Sequence, residues 1–341
     1  MDTYITNKPR VSIIMSVYNT ERFLHAAIDS ILTQTYQDFE FIIIDDCSTD
    51  NTNTILQTYT DPRIKTIKND INIGLALSLN KAIDATSGTY LIRMDGDDIA
   101  LPKRIEKQVA FMDNHPKVGI SGAYAQTFGA KNTTIMRQPT DPEELKVNLL
   151  FRTSLIHPTV IMRKEFLDKN NLRYRNAADG VAYVEDYDLW TRAARCGTLA
   201  NLPETLLLYR RHDKQASIEH KDIEIHKGKD IIARQLENLG LSPTDQELDT
   251  AMALKRYLFM DQNNFPMQLE NLFVKIYTAN STKHIYTEAA LEKVFGQFWL
   301  EMALAYRAHG KDIWKEFWNG LPRHWIVWNF RNVVRLLKLY I

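Results

Sequence analysis

The chain has 341 residues, of which 45% are hydrophobic and 25% are charged, so it is expected to form about two globular domains with buried cores. Because 42 lysines and arginines balance 42 aspartates and glutamates, bulk charge does not favour nucleic-acid binding, and no nucleic acid is expected as a partner. Two cysteines in unrelated contexts, no signal-like start and no run of about 18 apolar residues favour a protein that works in the cytoplasm.

Strand and helix patterns alternate through the first part of the chain. Val11–Val17 is an apolar run typical of a buried strand, and Asn19 is a candidate N-cap for a helix over Glu21–Thr33. Further strands are predicted at Phe39–Ile44, Ile64–Ile67 and Tyr90–Met94, with helices ending near Tyr59 and covering Leu75–Ala85. This alternation predicts right-handed crossovers and an α/β fold with a mixed, mainly parallel sheet flanked by helices.

Polar clusters follow three of these predicted strands. Ser16–Asn19, Asp45–Asp50 and Asp95–Asp98 each stand directly after an apolar run. In parallel sheets, ligands bind at the carboxyl ends of the strands. We therefore expect the three clusters to converge on one edge of the sheet.

The pattern changes after Asp141-Pro142, which begins another helix. A helix over Glu185–Cys196 is predicted between strands at Thr159–Met162 and Thr205–Tyr209. Helical patterns then dominate, over Ile223–Leu239, Asp245–Met260 and Glu288–Ala308. The sequence therefore predicts a first domain over residues 1–217 and an α-helical extension over residues 218–341.

The last stretch, residues 322–341, combines basic and aromatic side chains and has no acidic residue. At helical spacing, Arg331, Arg335 and Lys338 share one face, opposite an apolar face that includes Phe330. Such an amphipathic helix suits the interface of an anionic membrane, and it suits docking of the apolar face on the protein equally well. Both interpretations stay open.

Three carboxylates are crowded into Asp95-Gly96-Asp97-Asp98. Crowded carboxylates repel one another unless a cation or hydrogen-bond donors neutralise them. Oxygen ligands of this kind suit Mg²⁺ or Mn²⁺. Taken alone, the loop fits an ordinary turn as well as a metal site, because Asp-Gly steps are common in turns.

Three further motifs each have a structural and a functional interpretation. Asp45-Asp46 fits helix capping or a hydrogen bond to a base or ribose. Glu185-Asp186 fits the first turn of a helix, where acidic residues are favoured, or a general base with an orienting partner. His212, after Arg210-Arg211, fits an exposed histidine or a neutral metal ligand beside arginines that bind phosphate.

Six segments occur in a specific order. They are Val11–Asn19 (VSIIMSVYN), Ile43–Asp50 (IIDDCSTD), Asn72–Gly74 with Asn80–Ala82, Gly88–Asp98 (GTYLIRMDGDD), Glu185–Trp190 (EDYDLW) and Tyr209–Ser217 (YRRHDKQAS). Together they resemble the inverting family 2 glycosyltransferases of the GT-A fold over roughly residues 10–217. One departure is Cys47, which stands where glycine is more usual in that family. Each segment alone is a modest signal, but all six in order are specific.

The resemblance implies a role for each matching residue. It assigns donor binding to Ser16, Tyr18, Asp46, Asn72, Arg93 and Asp95, metal binding to Asp97, Asp95 and His212, catalysis to Asp186 as general base with Glu185 beside it, and acceptor binding to His157. The implied cofactor is Mn²⁺ or Mg²⁺. The implied substrates are a nucleotide-sugar, with a UDP-sugar expected, and a glycan or lipid-linked oligosaccharide acceptor in cell-surface polysaccharide synthesis. Peripheral contact with the inner face of the cytoplasmic membrane through residues 322–341 is one of the two open interpretations of that stretch.

Three other functions fit the sequence less well. A nucleotide-binding oxidoreductase would carry G-x-G-x-x-G after its first strand, where this chain has residues 16–21, SVYNTE. A nucleotidyltransferase would be supported by a glycine-rich phosphate loop, which the sequence lacks. A non-catalytic nucleotide- or glycan-binding protein on the same fold is disfavoured by the intact set Asp95, Asp97, Asp186 and His212.

Overall fold

The computed structural model describes residues 8–130, 132–212, 221–256, 264–308 and 314–327. The chain divides into two compact units. The first comprises Met1–Pro142 and Ser154–Lys221, and the second comprises Glu143–Thr153 and Asp222–Ile341. The second unit is therefore built from two separate parts of the chain.

A mixed sheet of nine strands forms the centre of the first unit within the described residues. The strands are β1 (Val11–Val17), β2 (Phe39–Asp45), β3 (Ile64–Lys68), β4 (Tyr90–Asp95), β5 (Ile99–Ala100), β6 (Val118–Phe128), β7 (Ile135–Met136), β8 (Ile161–Arg163) and β9 (Thr198–Arg210). Their order is β3-β2-β1-β4-β8-β6-β9-β5, with β7 on β6. Strands β3, β2, β1 and β4 are parallel, whereas β8 is antiparallel to both β4 and β6.

Helices flank the sheet and make up most of the second unit. In the first unit they are α1 (Leu24–Leu32), α2 (Thr52–Gln57), α3 (Leu75–Asp84), α4 (Arg104–Asn114), α6 (Lys164–Lys169) and α7 (Glu185–Cys196). Helix α5 (Pro142–Asn148) begins at Pro142, where the first part of the first unit ends, and continues into the second unit. In the second unit they are α8 (Lys221–Asn238, which begins at the boundary), α9 (Asp245–Arg256), α10 (Phe265–Lys283), α11 (Glu288–Ala308) and α12 (Trp314–Asn319). The predicted α/β class with a helical C-terminal region is confirmed.

Strand β1 is buried on both faces, as its unbroken apolar run predicts. Ile13 and Met15 belong to a core cluster that also contains Ile28 of α1 and Val109 of α4. The alternate residue Ile14 is fully buried as well. A strand enclosed in this way is held rigidly, so the residues that follow its end are placed with little freedom.

The first helix begins later than its sequence pattern predicts. Helix α1 starts at Leu24 and has no side-chain cap, so the predicted start at Glu21 with Asn19 as N-cap is wrong. Asn19 has a φ of 53°, and its Oδ1 accepts a hydrogen bond from the Thr49 N–H at 2.8 Å. In return, the Asn19 N–H donates to Ser48 Oγ at 3.1 Å. Asn19 thus binds the loop after β2 instead of capping α1. The two bonds satisfy the backbone N–H groups of Asn19 and Thr49.

The second unit has an aromatic core. The Phe151 ring meets the Phe273, Phe295 and Phe298 rings edge to face, with centroids 5.9, 6.1 and 5.5 Å away. Phe273 and Phe295 are stacked at 4.2 Å. Helix α10, which carries Phe273, has no counterpart among the helices predicted from the sequence.

The C-terminal stretch is described only in part. Leu321–Trp325 is a 3-10 helix, and residues 328–341, with the predicted face of Arg331, Arg335 and Lys338, lie outside the described residues. Residues 257–260 of the predicted helix that follows Asp245 lie outside them too. None of the helices in the described ranges combines the length and the apolarity that crossing a membrane requires.

We expect Phe151→Ala to lower the free energy of unfolding by about 3–5 kcal/mol, because it leaves a cavity among three other phenylalanines. The measurement is urea denaturation followed by circular dichroism. The control is Val274→Ala in the same unit, where the side chain is 38% exposed. It should change the free energy of unfolding by less than about 0.5 kcal/mol. Equal effects of the two substitutions would contradict the aromatic core.

Candidate active site

The carboxyl ends of β1, β2 and β4 lie side by side. In the parallel ladders, Val17 is level with Asp45, and Ser16 is level with Asp95. The Asp46 N–H also donates to the Val17 carbonyl at 2.9 Å. The three polar clusters therefore meet at one edge of the sheet, as their positions after the strands predicted.

Asp46 is buried, and its carboxylate binds protein groups. Oδ1 accepts from Asn69 Nδ2 at 2.8 Å and from the Ile73 N–H at 2.9 Å, while Oδ2 accepts from the Gly74 N–H at 2.8 Å. Gly74 has a φ of 85°, a conformation that favours glycine, and it immediately precedes α3. Asn72 Oδ1 also accepts from the Gly74 N–H, at 3.2 Å. Asp46 thus holds the turn before α3 beside this edge of the sheet.

Two residues of the same edge remain accessible. Tyr18, directly after β1, is 48% exposed, and Ser16 is half-buried. Cys47, after Asp46, has a φ of 62°. This left-handed backbone gives a conformational reason for the glycine that is more usual at the Cys47 position. The exposed Tyr18 ring offers a flat surface on which a base can stack.

A buried arginine grips the first aspartate of the acidic loop. Arg93 Nη1 and Nη2 each lie 2.5 Å from an oxygen of Asp95, which is the bidentate geometry that makes such pairs strong. The Arg93 side chain is only 3% exposed, so its guanidinium faces the carboxylate rather than solvent. Burial raises the pKa of Asp95 above its ordinary value, although Arg93 opposes the shift. Arg93 therefore fixes the direction in which Asp95 points.

The remaining aspartates complete a cluster of carboxylates. One ligand oxygen from each of Asp95, Asp97 and Asp98 lies within 4.8 Å of the others. Asp98 is buried, and its Oδ2 has no hydrogen-bond partner among the described residues. Burial, reinforced by Asp95 and Asp97, raises the pKa of Asp98 well above its ordinary value. A divalent cation would relieve this repulsion and the unsatisfied oxygen, so the carboxylate set fits Mn²⁺ or Mg²⁺.

The end of β9 brings His212 to the same loop. His212 Nε2 lies 3.0 Å from Asp97 Oδ2, and its ring packs 5.3 Å from the Phe23 ring. Arg210 Nε donates to the Asp97 carbonyl at 2.6 Å, so this arginine binds the loop backbone. The structure therefore joins His212 to the carboxylate cluster, although the two are far apart in the sequence.

Glu185 and Asp186 lie in the first turn of α7. Asp186 Oδ1 accepts from the Tyr187 N–H at 2.6 Å. Burial, with a further contribution from Asp186, raises the pKa of Glu185 to about 7, and Arg93 and Asp95 also influence it. The two carboxyl groups therefore share the electrostatic environment of the acidic loop.

His157 and Tyr174 link the two acidic segments, and sequence reasoning missed Tyr174. His157 Nε2 lies 2.8 Å from the buried Tyr174 hydroxyl, with Trp190 edge to face at 5.9 Å. Burial lowers the pKa of His157 well below its ordinary value, and Arg93 adds to this effect, so the imidazole is neutral near pH 7. Burial raises the pKa of Tyr174, which also interacts electrostatically with Arg93, Asp186 and Glu185.

Asn80 holds Tyr174 in place. Its Nδ2 donates to the Tyr174 carbonyl at 2.8 Å, and its Oδ1 accepts from the Tyr174 N–H at 2.9 Å. No local motif surrounds Tyr174 in the sequence, and the only available signal was the Asn80 segment in the family pattern. The predicted residues thus form two neighbouring groups on one edge: Ser16, Tyr18, Asp46 and Asn72 near the end of β2, and Arg93, Asp95, Asp97, His212, Glu185, Asp186 and His157 near the end of β4.

Similarities to known proteins agree with this geometry. The family described as Glycosyl transferase family 2 matches residues 12–171. An uncharacterized glycosyltransferase of Haemophilus influenzae is 31% identical over 298 residues, which cover 82% of this chain and 90% of that protein. The Escherichia coli UDP-Glc:alpha-D-GlcNAc-diphosphoundecaprenol beta-1,3-glucosyltransferase WfgD is 29% identical, over 70% of this chain and 89% of its own length.

A solved structure shares the fold. S. aureus TarS 1-349 in complex with UDP-GlcNAc superposes with a TM-score of 0.58 at 19% identity, over 90% of this chain and 89% of that chain. This likeness covers both the sheet and the helical region.

We expect Glu185→Gln to stabilise the protein at pH 8 relative to pH 4.5. In the folded protein the pKa of Glu185 is raised to about 7. As the pH rises from the ordinary pKa of a glutamate to about 7, this group ionises more readily in the unfolded state, so the folded state loses stability. At pH 4.5 the unfolded group is only about half ionised and the folded group is protonated, so the substitution gains little there. The gain at pH 8 should be on the order of 1–3 kcal/mol, measured by urea unfolding with chelator present.

The control for this measurement is Glu165→Gln, at an exposed position in α6. The difference between Glu165→Gln and the unaltered protein should not change between pH 4.5 and pH 8. If Glu185→Gln behaves like this control, burial does not raise the pKa of Glu185.

Proposed function

Since the chain belongs to glycosyl transferase family 2 and is a glycosyltransferase, we propose that it moves a sugar from a nucleotide-sugar, with UDP-sugars as donors, to an acceptor hydroxyl by inverting displacement. The observation that carries the proposal is the joining of Asp95, Asp97 and His212 at the strand edge that also presents Tyr18. The acceptor class is a glycan or a lipid-linked oligosaccharide. The name of WfgD, which describes a UDP-Glc donor and a diphosphoundecaprenol-linked acceptor, supports both substrate classes.

In this proposal, the base and ribose bind at the end of β2. The exposed Tyr18 ring stacks on the base, and Ser16 offers a hydroxyl from the end of β1. Asp46 and Asn72 shape the wall through their bonds to the Gly74 N–H. Because Asp46 Oδ1 already accepts two hydrogen bonds and Oδ2 accepts one, a further contact to the nucleoside uses the remaining lone pair of Oδ2.

The diphosphate binds at the acidic loop. Asp95, Asp97 and His212 would hold Mn²⁺ or Mg²⁺, with Arg93 keeping Asp95 in position. When bound, the cation supplies Lewis-acid stabilisation of the charge that develops on the leaving diphosphate. Arg93 acts on the donor through Asp95, since its own guanidinium is enclosed.

The proton moves at the start of α7. Asp186 takes the proton from the acceptor hydroxyl as the oxygen attacks the anomeric carbon, and the C–O bond to the diphosphate breaks. General base catalysis of this kind contributes on the order of 10²–10⁴-fold. Attack from the face opposite the leaving group inverts the configuration of that carbon. Glu185 lies beside the base, and the neutral His157, beside Tyr174, forms the wall that the acceptor approaches.

We expect Asp97→Ala and Asp186→Asn both to abolish transfer, but only Asp97→Ala to abolish metal-dependent nucleotide binding. Asp97 belongs to the carboxylate cluster, whereas Asp186 acts only on the acceptor proton. Transfer is measured as hydrolysis or turnover across UDP-, GDP- and dTDP-sugars with Mn²⁺. Binding is measured by calorimetry with UDP and Mn²⁺.

The matched control is Asp230→Asn, on an exposed part of α8, which should leave both transfer and binding unchanged. Full activity of Asp186→Asn would reject the base assignment. Failure of the unaltered protein to bind any of the nucleotides with Mn²⁺ would reject the donor site and favour a glycan-binding role on the same fold.

We further propose that the enzyme works at the inner face of the cytoplasmic membrane, bound peripherally through residues 322–341. The support is the composition of residues 328–341, in which Arg331, Arg335 and Lys338 accompany Trp328, Phe330 and Tyr340 without an acidic residue. Trp325, earlier in the stretch, stacks on the Tyr277 ring at 5.3 Å and so belongs to the protein's own packing. A lipid-linked acceptor would be reached from the same surface.

Removal of residues 328–341 is expected to weaken binding to phosphatidylglycerol vesicles at least about tenfold, since each basic residue near an anionic surface contributes about 1 kcal/mol. Cosedimentation measures the binding, and phosphatidylcholine vesicles serve as the uncharged control. Unchanged vesicle binding with a loss of thermal stability would show that the stretch docks on the protein instead.

A further inference from the structure

The end of β9 lies across the acidic loop. The short strand β5, directly after the loop, pairs antiparallel with β9, so that Ile99 is level with Leu208. His212 lies beyond the end of this ladder and outside any strand. On its other side β9 pairs with β6 as far as Arg210, and the Arg211 N–H donates to the Phe128 carbonyl at 2.8 Å, so β6 holds the backbone up to the residue before His212. What sheet pairing does not set is how the loop that carries Asp97 is held against this end of β9.

Arg210 and Asp98 provide that connection. The Arg210 N–H donates to Asp98 Oδ1 at 2.8 Å, and Arg210 Nε donates to the Asp97 carbonyl at 2.6 Å. The Arg210 guanidinium lies 4.3 Å from the centres of both the Phe23 and Phe128 rings, which hold it from two sides. Asp98 is 1% exposed, so its bond to Arg210 is shielded from water.

We propose that Asp98 and Arg210 are positioning residues that clasp the end of β9 onto the acidic loop and so hold His212 against Asp97 before a cation binds. The proposal rests on the metal site of the proposed function. Asp98 then acts through its Oδ1, which accepts a hydrogen bond from the backbone at the end of β9. Asp97 and His212 are 115 residues apart in sequence, and the clasp joins the segments that carry them.

Asp98 has a second property that must be separated from the clasp. Its carboxyl group belongs to the cluster with Asp95 and Asp97, so removing its charge weakens cation binding by itself. Asp98→Asn and Asp98→Ala both remove the charge. Only Asp98→Ala also removes the oxygen that accepts from the Arg210 N–H. The difference between these two variants therefore measures the loss of that oxygen, both as the acceptor of the hydrogen bond and as a cation ligand, and a His212→Ala background separates the two effects.

The test is Mn²⁺ affinity, measured by electron paramagnetic resonance on the full-length protein without nucleotide. Asp98→Ala should bind Mn²⁺ at least about tenfold more weakly than Asp98→Asn, as is usual when a group that orients a ligand is lost. In a His212→Ala background, the same pair should agree within about twofold, because the clasp then has no ligand to position. An equal effect of Asn and Ala, or a gap that persists without His212, would overturn the proposal.

A second readout does not require the metal. Without the clasp, His212 should react faster with diethyl pyrocarbonate, followed by mass spectrometry, in Asp98→Ala than in Asp98→Asn. If Asp98→Ala does not fold, Asp98→Leu provides the same test against Asp98→Asn, since it resembles asparagine in shape but has no oxygen to accept from the Arg210 N–H. An unchanged His212 reaction rate in that variant would overturn the clasp. If the unaltered protein binds no Mn²⁺, the metal site and the clasp are both rejected. If it binds Mn²⁺ but Asp98→Asn and Asp98→Ala have equal Mn²⁺ affinities, only the clasp is rejected.

Discussion

The ion pair between the buried Arg93 and the half-buried Asp95 fixes the first carboxylate of the acidic loop. A guanidinium that is removed from water must find an anion, and here it finds one two residues further along its own strand. A second buried arginine, Arg104, donates to the Arg93 carbonyl at 2.7 Å, and burial lowers its pKa to about 9 while Asp98 opposes that shift. The two arginines lie under the acidic loop and offset the repulsion among its carboxylates.

Arg93 also interacts electrostatically with groups outside the acidic loop. Arg93 affects the ionisation of His157, Tyr174 and Glu185, all of which come from parts of the chain far from β4. A neutral imidazole, a protonated phenol and a carboxyl group with a raised pKa thus surround one buried cation. In the reaction proposed above, His157 and Tyr174, which are joined by a hydrogen bond, would need little rearrangement as charge develops.

The sequence was informative where local pattern decides structure. The apolar runs located β1, β2 and β4, and the polar residues after them located the edge where the clusters meet. The start of α7 at Glu185 and its end before Gly197 also followed from local signals. Long-range bonds decided the rest. Asn19 looked like a helix cap, but its side chain binds the Thr49 N–H, and nothing near Tyr174 in the sequence shows that Asn80 holds it. The roles of the site residues remain predictions, since geometry alone does not test them.

The division of the second unit between two stretches of chain bears on how this protein is made. During synthesis the segment Glu143–Thr153, with Phe151, leaves the ribosome well before α10 and α11, whose phenylalanines complete its core. At about 5–20 residues per second, that interval lasts roughly ten to thirty seconds. Throughout it, Phe151 lacks the three phenylalanine rings that pack on it in the folded protein. Nascent chains stalled before Ala308 should therefore expose the apolar segment around Phe151 until its aromatic partners are synthesised.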